Sequence, residues 1–214
     1  MPLNRQTDNV DSNFVNSYDV HKNYASSNYD QRHILTMSWI YELPFFAHKG
    51  LTQTFLGGWQ VAGIMTSQSG VPFSVVDGAF GDNAGVADGT SGIGSYADRI
   101  GDPHATADPR CSEPNTKGAL LFNCAAYALP QGLTFGDSGR NSLNHPHRTN
   151  FDMSVFKVFK PTEKLAVQFR AEAFNIFNHT QWSGLNSAVN TPSFLYATSA
   201  HMPRVLQFAL RVTF

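Results

Sequence analysis

The stretch FDMSVFKVFKPTEKLAVQFRAEAF, residues 151–174, decides the fold. Phe151, Met153 and Val155 alternate with Asp152 and Ser154. After the tight turn PTEK, residues Leu165, Val167, Phe169, Ala171 and Ala173 stand opposite Gln168, Arg170 and Glu172. Side chains on a strand point alternately to its two faces, so this is a hairpin with one apolar and one polar face.

The same alternation recurs outward from this hairpin. At residues 205–214, VLQFALRVTF sets Leu206, Phe208, Leu210, Val212 and Phe214 on one parity. Gln207, Arg211 and Thr213 take the other. In RHILTMSWIYEL, residues Leu35, Met37, Trp39 and Tyr41 form the more apolar set, against Ile34, Thr36, Ser38, Ile40 and Glu42. Trp59, Val61 and Met65 share a parity in WQVAGIMTSQSGVPFSV. Gly63 interrupts that row, as a close backbone contact or a bend would. The pattern predicts five long strands, at about 31–43, 58–73, 150–159, 164–177 and 203–214.

Connections between them alternate in length. Residues 44–57 and 160–163 are short; 74–149 and 178–202 are long. An up-and-down meander then has its turns at one end and its loops at the other, as outer-membrane barrels do. Strands of this length match the 9–11 tilted residues that cross a bilayer and exceed the usual 5–6 of globular sheets. Aromatics gather at both ends: Tyr41, Phe45, Phe46, Phe159 and Phe214 near the turns, Phe73, Phe177 and Trp182 near the loops. Two belts are expected where a barrel meets two headgroup layers. The fold class is therefore all-β, a partial antiparallel transmembrane β-barrel. Residues 1–29 read as a polar loop segment, residues 30–214 as the barrel segment, with a long external loop at about 74–149. Five strands cannot close such a barrel, for which eight is the usual lower limit, so the chain is expected to be part of a larger one. A secreted soluble β-sandwich that binds carbohydrate or protein is the alternative, since it too would show alternation.

Composition agrees. Only 14% of residues are charged, 13% are aromatic, and Phe alone numbers 17. Fifteen Lys+Arg against 16 Asp+Glu leave no basic footprint for nucleic acid. No apolar run reaches the roughly 20 residues of a membrane helix. The opening MPLNRQTDNV is polar, so no secretion signal is expected within these residues.

Several residue groups invite a chemical reading. Cys111 and Cys124 fit a local disulfide in an oxidising compartment, or two free thiols in the cytosol. Arg170, Glu172 and Arg211 would line a watery lumen, as substrate contacts or as an internal ion-pair ladder. Lys157 falls on the apolar parity; it snorkels to headgroups, or a bulge shifts the register. GDSG at 136–139 matches the nucleophile stretch of chymotrypsin-like proteases, but no companion base or acid signature accompanies Ser138, and Gly-Asp-Ser-Gly is ordinary turn chemistry. His104, His145, His147 and His179 lack metal-site spacing. Asp77, Asp82, Asn83 and Asp88 suit calcium in kind but not in spacing. No cofactor, metal or catalytic residue is expected.

The segments FLGGWQVAGIMTSQSGVPFSV, DRIGDP, GRNSLNHPHRTNFDMSVFKVFKPTEKLAVQFRAEAFNIFNHTQW and RVLQFALRVTF together resemble the C-terminal barrel of TonB-dependent outer-membrane receptors. The likeness is to the Oar-like group abundant in Acidobacteria, which carries a carboxypeptidase-regulatory-like domain at its N-terminus. The resemblance implies an outer-membrane transporter portion that is not transport-competent alone. It also implies as partners the membrane lipid, the remaining strands and plug domain, and, through missing N-terminal parts, TonB. It further implies that Phe208, Leu210, Val212 and Phe214 form the signal read by the barrel-assembly machinery.

Overall fold

The computed structural model describes residues 15–16, 18–44, 54, 56–78, 95–111 and 118–214. Eleven strands occur among them: β1 (Ile34–Glu42), β2 (Trp59–Gln68), β3 (Pro72–Phe73), β4 (Asp98–Arg99), β5 (Tyr127–Ala128), β6 (Leu143–Asn144), β7 (Arg148–Thr162), β8 (Leu165–Phe174), β9 (Trp182–Leu185), β10 (Ala197–Ala200) and β11 (Val205–Thr213). Five are long, with 9, 10, 15, 10 and 9 residues in β1, β2, β7, β8 and β11. They form one antiparallel sheet in the order β1-β2-β7-β8-β11. This is the expected meander, and among the described strands it does not close. The expected strand at 58–73 is shorter: it ends at Gln68, and Pro72–Phe73 pairs instead with Leu143–Asn144.

Register sorts the side chains. Trp39 faces Gly63, Gly63 faces Met153, Met153 faces Ala173, and Ala173 faces Leu206. The next rung runs Tyr41, Val61, Val155, Ala171, Phe208. Every parity set read as apolar thus falls on one face. Gly63 serves a close approach: the Trp39 ring lies where a Cβ would stand.

The chain divides into two compact units. Residues 33–68, 148–181 and 201–214 make the sheet unit. Residues 1–32, 69–147 and 182–200 make the loop unit. All the buried apolar side chains among the described residues belong to the loop unit. Val75, Ala97, Ala126, Tyr127, Leu143, Phe194 and Leu195 form its main cluster, and Val15, Val76 and Tyr96 a second. The stretch 74–149, expected as a long external loop, therefore supplies a core with residues 182–200. Phe73 packs on that core and on Phe122 and His145, so it is not a belt aromatic. Trp182 lies in β9 opposite Ala200. Phe177 is 61% exposed and meets Phe151 edge-on. Phe45 and Phe46 lie outside the described residues.

Cys111 and Cys124 are joined, with Cα atoms 5.7 Å apart. The Tyr196 hydroxyl donates to the Cys111 carbonyl at 2.7 Å. Arg140 and Asn141 hold the N-terminal segment through Asn28 and Ser26.

Among the described residues, the sheet unit has no core of its own. Leu35, Met37, Tyr41, Leu206, Phe208, Leu210 and Val212 are each more than half exposed. At about 1.5–3 kcal/mol per large side chain fully removed from water, the exposed parts of these seven forgo about 6–12 kcal/mol in a wet environment. That is as large as the net stability of a typical domain, about 5–15 kcal/mol.

Lys157 resolves differently from both expectations. The register runs unbroken past it, pairing Lys157 with Trp59 and Phe169; the irregularity lies beyond, between Phe159 and Thr162. The side chain is 4% exposed. Its ammonium donates to the carbonyls of Thr54, at 2.6 Å, and Gly57, and sits over the Phe159 ring at 4.7 Å. Trp59 flanks it at 5.7 Å. The charge is thus satisfied by the backbone of the short connection.

Lys157→Met makes the face more apolar yet should destabilise the protein by about 1–3 kcal/mol, because the buried Gly57 carbonyl and the Thr54 carbonyl lose their donor. Denaturant unfolding of the micelle-bound chain checks this. Reduction of Cys111–Cys124 should cost the loop unit about 3 kcal/mol, as expected for a closed loop of this size. Hydrogen exchange at Ala126 and Leu195 should rise, with amides of β7 and β8 unmoved.

Candidate functional site: the polar face and its cleft

The second face of the sheet carries the polar parity. Its rungs include Ser38, Ile64 and Asp152; Ser154, Glu172 and Gln207; and Gln168 with Arg211. Arg170, Glu172 and Arg211 all stand on this face. Arg170 and Glu172 touch at 3.5 Å, and the Arg170 guanidinium lies over Phe156 at 5.8 Å. This pair is partly exposed, so its contribution to stability is small, about 0–1 kcal/mol. Arg211 stands opposite Gln168. At the turn end, Gln60 donates to the Glu42 carboxylate.

Where β7 begins and β8 ends, the polar face opens into a cleft of about 430 Å³. Arg148, Asn150 and Asp152 reach it from β7 because they share one parity. Asn175, Gln181 and His201 come from the connection after β8. Asp152 Oδ1 accepts from Asn150 Nδ2 at 2.8 Å and from the Asn175 backbone N–H at 2.9 Å. Asn175 Nδ2 donates to the carbonyls of His179 and Met202, at 3.1 and 3.3 Å, and its Oδ1 accepts from the His179 N–H at 3.1 Å. Gln181 Nε2 donates to Asn150 Oδ1 at 3.3 Å. Arg148 Nη1 lies 3.1 Å from His201 Nε2. Burial, and then the Arg148 charge, lowers the His201 pKa below its ordinary value.

Asn175 and Asn178 both have φ of 51°. Asparagine tolerates this left-handed region better than most residues. That explains why FNIFN can leave the strand in a tight turn and re-aim the chain across Asp152. The cleft residues were not among the expected site residues. Their signal was present in the motif halves RTNFD and FNIFNHTQ, but the contact between Asp152 and Asn175 spans 23 residues.

Other candidates have structural roles. Ser138 donates to the Val75 carbonyl at 3.3 Å, and Asp137 accepts from the Arg99 N–H at 2.6 Å. Gly136 and Gly139 have φ of 64° and 75°, so GDSG is a turn fastened to the loop unit. His145 packs at a tilt against Phe73 and His104 edge-on against Phe122, with ring centroids 4.8 and 5.5 Å apart. His179 lies 6.3 Å from Phe177. No group of three or more His, Cys, Asp or Glu among the described residues is arranged to hold a metal ion. Asp82, Asn83 and Asp88 lie outside the described residues.

A single sheet with one apolar face, one polar face and strands of membrane-crossing length is the wall of a transmembrane β-barrel. Ten residues at about 3.4 Å, tilted by about 40°, rise about 26 Å, close to the apolar band of outer-membrane barrels. The chain matches the family model of the outer membrane beta barrel domain over residues 3–207, and it belongs to that family. The protein accordingly resides in the outer membrane of a Gram-negative cell, in a family of generally non-enzymatic structural and transport proteins. No curated protein and no solved structure gives a match.

Asn175→Ala removes three side-chain hydrogen bonds and a residue suited to its φ. It should cost about 2–4 kcal/mol, each net bond contributing about 0.5–1.5 kcal/mol. Asn175→Asp should cost at least as much, because a carboxylate oxygen replaces the donor to two carbonyls; thermal unfolding in micelles ranks them. His145 is half-buried, and burial lowers its pKa. The folded loop unit thus binds fewer protons than the unfolded chain at mildly acid pH. Its stability is complete above the unfolded value of about 6.5 and falls as pH drops below it. In His145→Phe the exchange rates of the loop unit should lose part of this acid sensitivity.

Proposed function

We propose that this chain forms the C-terminal wall of a TonB-dependent outer-membrane receptor or transporter. Further strands complete the cylinder, and a plug domain lies inside it. The observation that carries the reading is the register: it puts Leu35, Met37, Trp39, Val155, Phe169, Phe208 and Leu210 on one face, where Leu35, Met37, Phe208 and Leu210 are more than half exposed. Membrane lipid covers that face. The polar face, with Arg170, Glu172 and Arg211, turns to the lumen. Receptor class is supported by the motif halves that meet at Asp152 and Asn175, which are the residues of the Oar-like resemblance.

Partners follow from the edges. β1 and β11 each pair on one side only among the described strands. Unpaired backbone groups in hydrocarbon cost several kcal/mol each, so both edges take further strands. Phe208, Leu210, Val212 and Phe214 are the surface that the barrel-assembly machinery would read on β11; Phe214 is 99% exposed. TonB acts through other parts of the receptor. A soluble β-sandwich would need a second sheet on the apolar face. The remaining sheets among the described residues are two-stranded, and none is large enough.

Cysteine scanning on β11 tests the orientation. In outer-membrane vesicles Ala209→Cys should react with a water-soluble maleimide and Phe208→Cys should not. The reverse order would overturn the reading. Photo-crosslinking of the whole gene product to TonB in cells tests the receptor class. A barrel recovered in the outer membrane that never crosslinks to TonB would be a barrel of another class.

A further inference from the structure

The cleft at the loop end carries more information than its position. We propose that it binds an uncharged, polyhydroxylated ligand of the carbohydrate class; this rests on the reading that the polar face meets water. Its two ions are already engaged. The Asp152 carboxylate holds Asn150 and the Asn175 backbone, and Arg148 holds His201. One charge of each sign leaves the cleft without net charge.

Two amides remain. An amide has two N–H donors and a carbonyl with two lone pairs. Asn150 uses one donor on Asp152 and one acceptor site for Gln181; Gln181 uses one donor. Both side chains line the cleft with hydrogen-bonding capacity of both signs left over. Phe174, Met202, Pro203 and Val205 also line the cleft and supply apolar surface. Hydroxyl groups both donate and accept, and a sugar ring has an apolar C–H face. That combination fits this lining.

The surrounding face agrees. Across the register-paired rungs its charges are Arg148, Arg170 and Arg211 against Glu42, Asp152 and Glu172, three of each sign. A path with balanced charge concentrates neither anions nor cations. Thr36, Ser38, Gln60, Thr66, Ser154, Gln168 and Gln207 add neutral polar groups along it.

The test is equilibrium binding to the full chain in micelles. Three hexamers serve as probes: maltohexaose, uncharged; hexagalacturonate, anionic; and the glucosamine hexamer, cationic. Maltohexaose should bind saturably and at least about tenfold tighter than either charged hexamer. Gln181→Leu should weaken it by about tenfold, since one side of the hydroxyl ladder is lost. Gln181 lies outside the long strands, so its replacement leaves the sheet pairing intact; unchanged heat-modifiable migration in gels verifies folding. Tighter binding of a charged hexamer, equal binding of all three, or no saturable binding would overturn the inference. The maleimide experiment on Ala209→Cys and Phe208→Cys separates the two failures. Correct orientation with no sugar binding removes this inference alone, and reversed orientation removes the lumen reading with it.

Discussion

Everything in the sheet depends on where its apolar face can go. Five strands that pair in sequence order satisfy their ladder hydrogen bonds, yet pairing does nothing for Phe208 or Trp39. A soluble domain solves this with a second layer. Here no buried apolar side chain among the described residues lies in the sheet unit. The free energy of hiding that face must come from lipid, and lipid in turn forbids open edges. Membrane location and the need for neighbouring strands are thus two consequences of one constraint.

Polar groups on the wrong side of such a wall test the scheme, and Lys157 is the sharpest case. Its parity is apolar, and it keeps that parity. Two backbone carbonyls and two aromatic rings meet its charge instead. Thr54 and Gly57, between β1 and β2, are therefore bound to β7. At the other end, Asp152 plays the complementary part. It accepts the Asn175 N–H just past the end of β8 and so fixes where the chain leaves the sheet.

Strand parity was legible in the sequence because it is local: each side chain's face follows from its own position modulo two. The order of strands followed from connection lengths. What failed to show was non-local. Nothing near Phe73 indicates that it packs on Phe122, 49 residues on, or that Val15 meets Val76 and Tyr96. A Gly- and Asp-rich stretch reads as loop when its apolar residues have no period. Leu195 and Phe194 complete that core from a different segment of chain. The cleft was hidden for the same reason. Its motif halves were visible, but only the pairing of β7 with β8 brings Arg148, Asn150 and Asp152 beside Asn175 and Gln181.

The two units rely on different physics and should fail separately. The loop unit hides Val75, Ala97, Ala126 and Leu195 from water by itself and is closed by a disulfide. Its stability draws on ordinary hydrophobic burial and on the oxidised state of Cys111 and Cys124. The sheet unit hides nothing comparable and draws on the solvent around it. Removing detergent attacks the second and leaves the first; adding reductant does the opposite. A protein with one shared core would lose both together. The division is therefore a statement about energetics as much as geometry: one chain holds a domain that water folds and a wall that lipid holds.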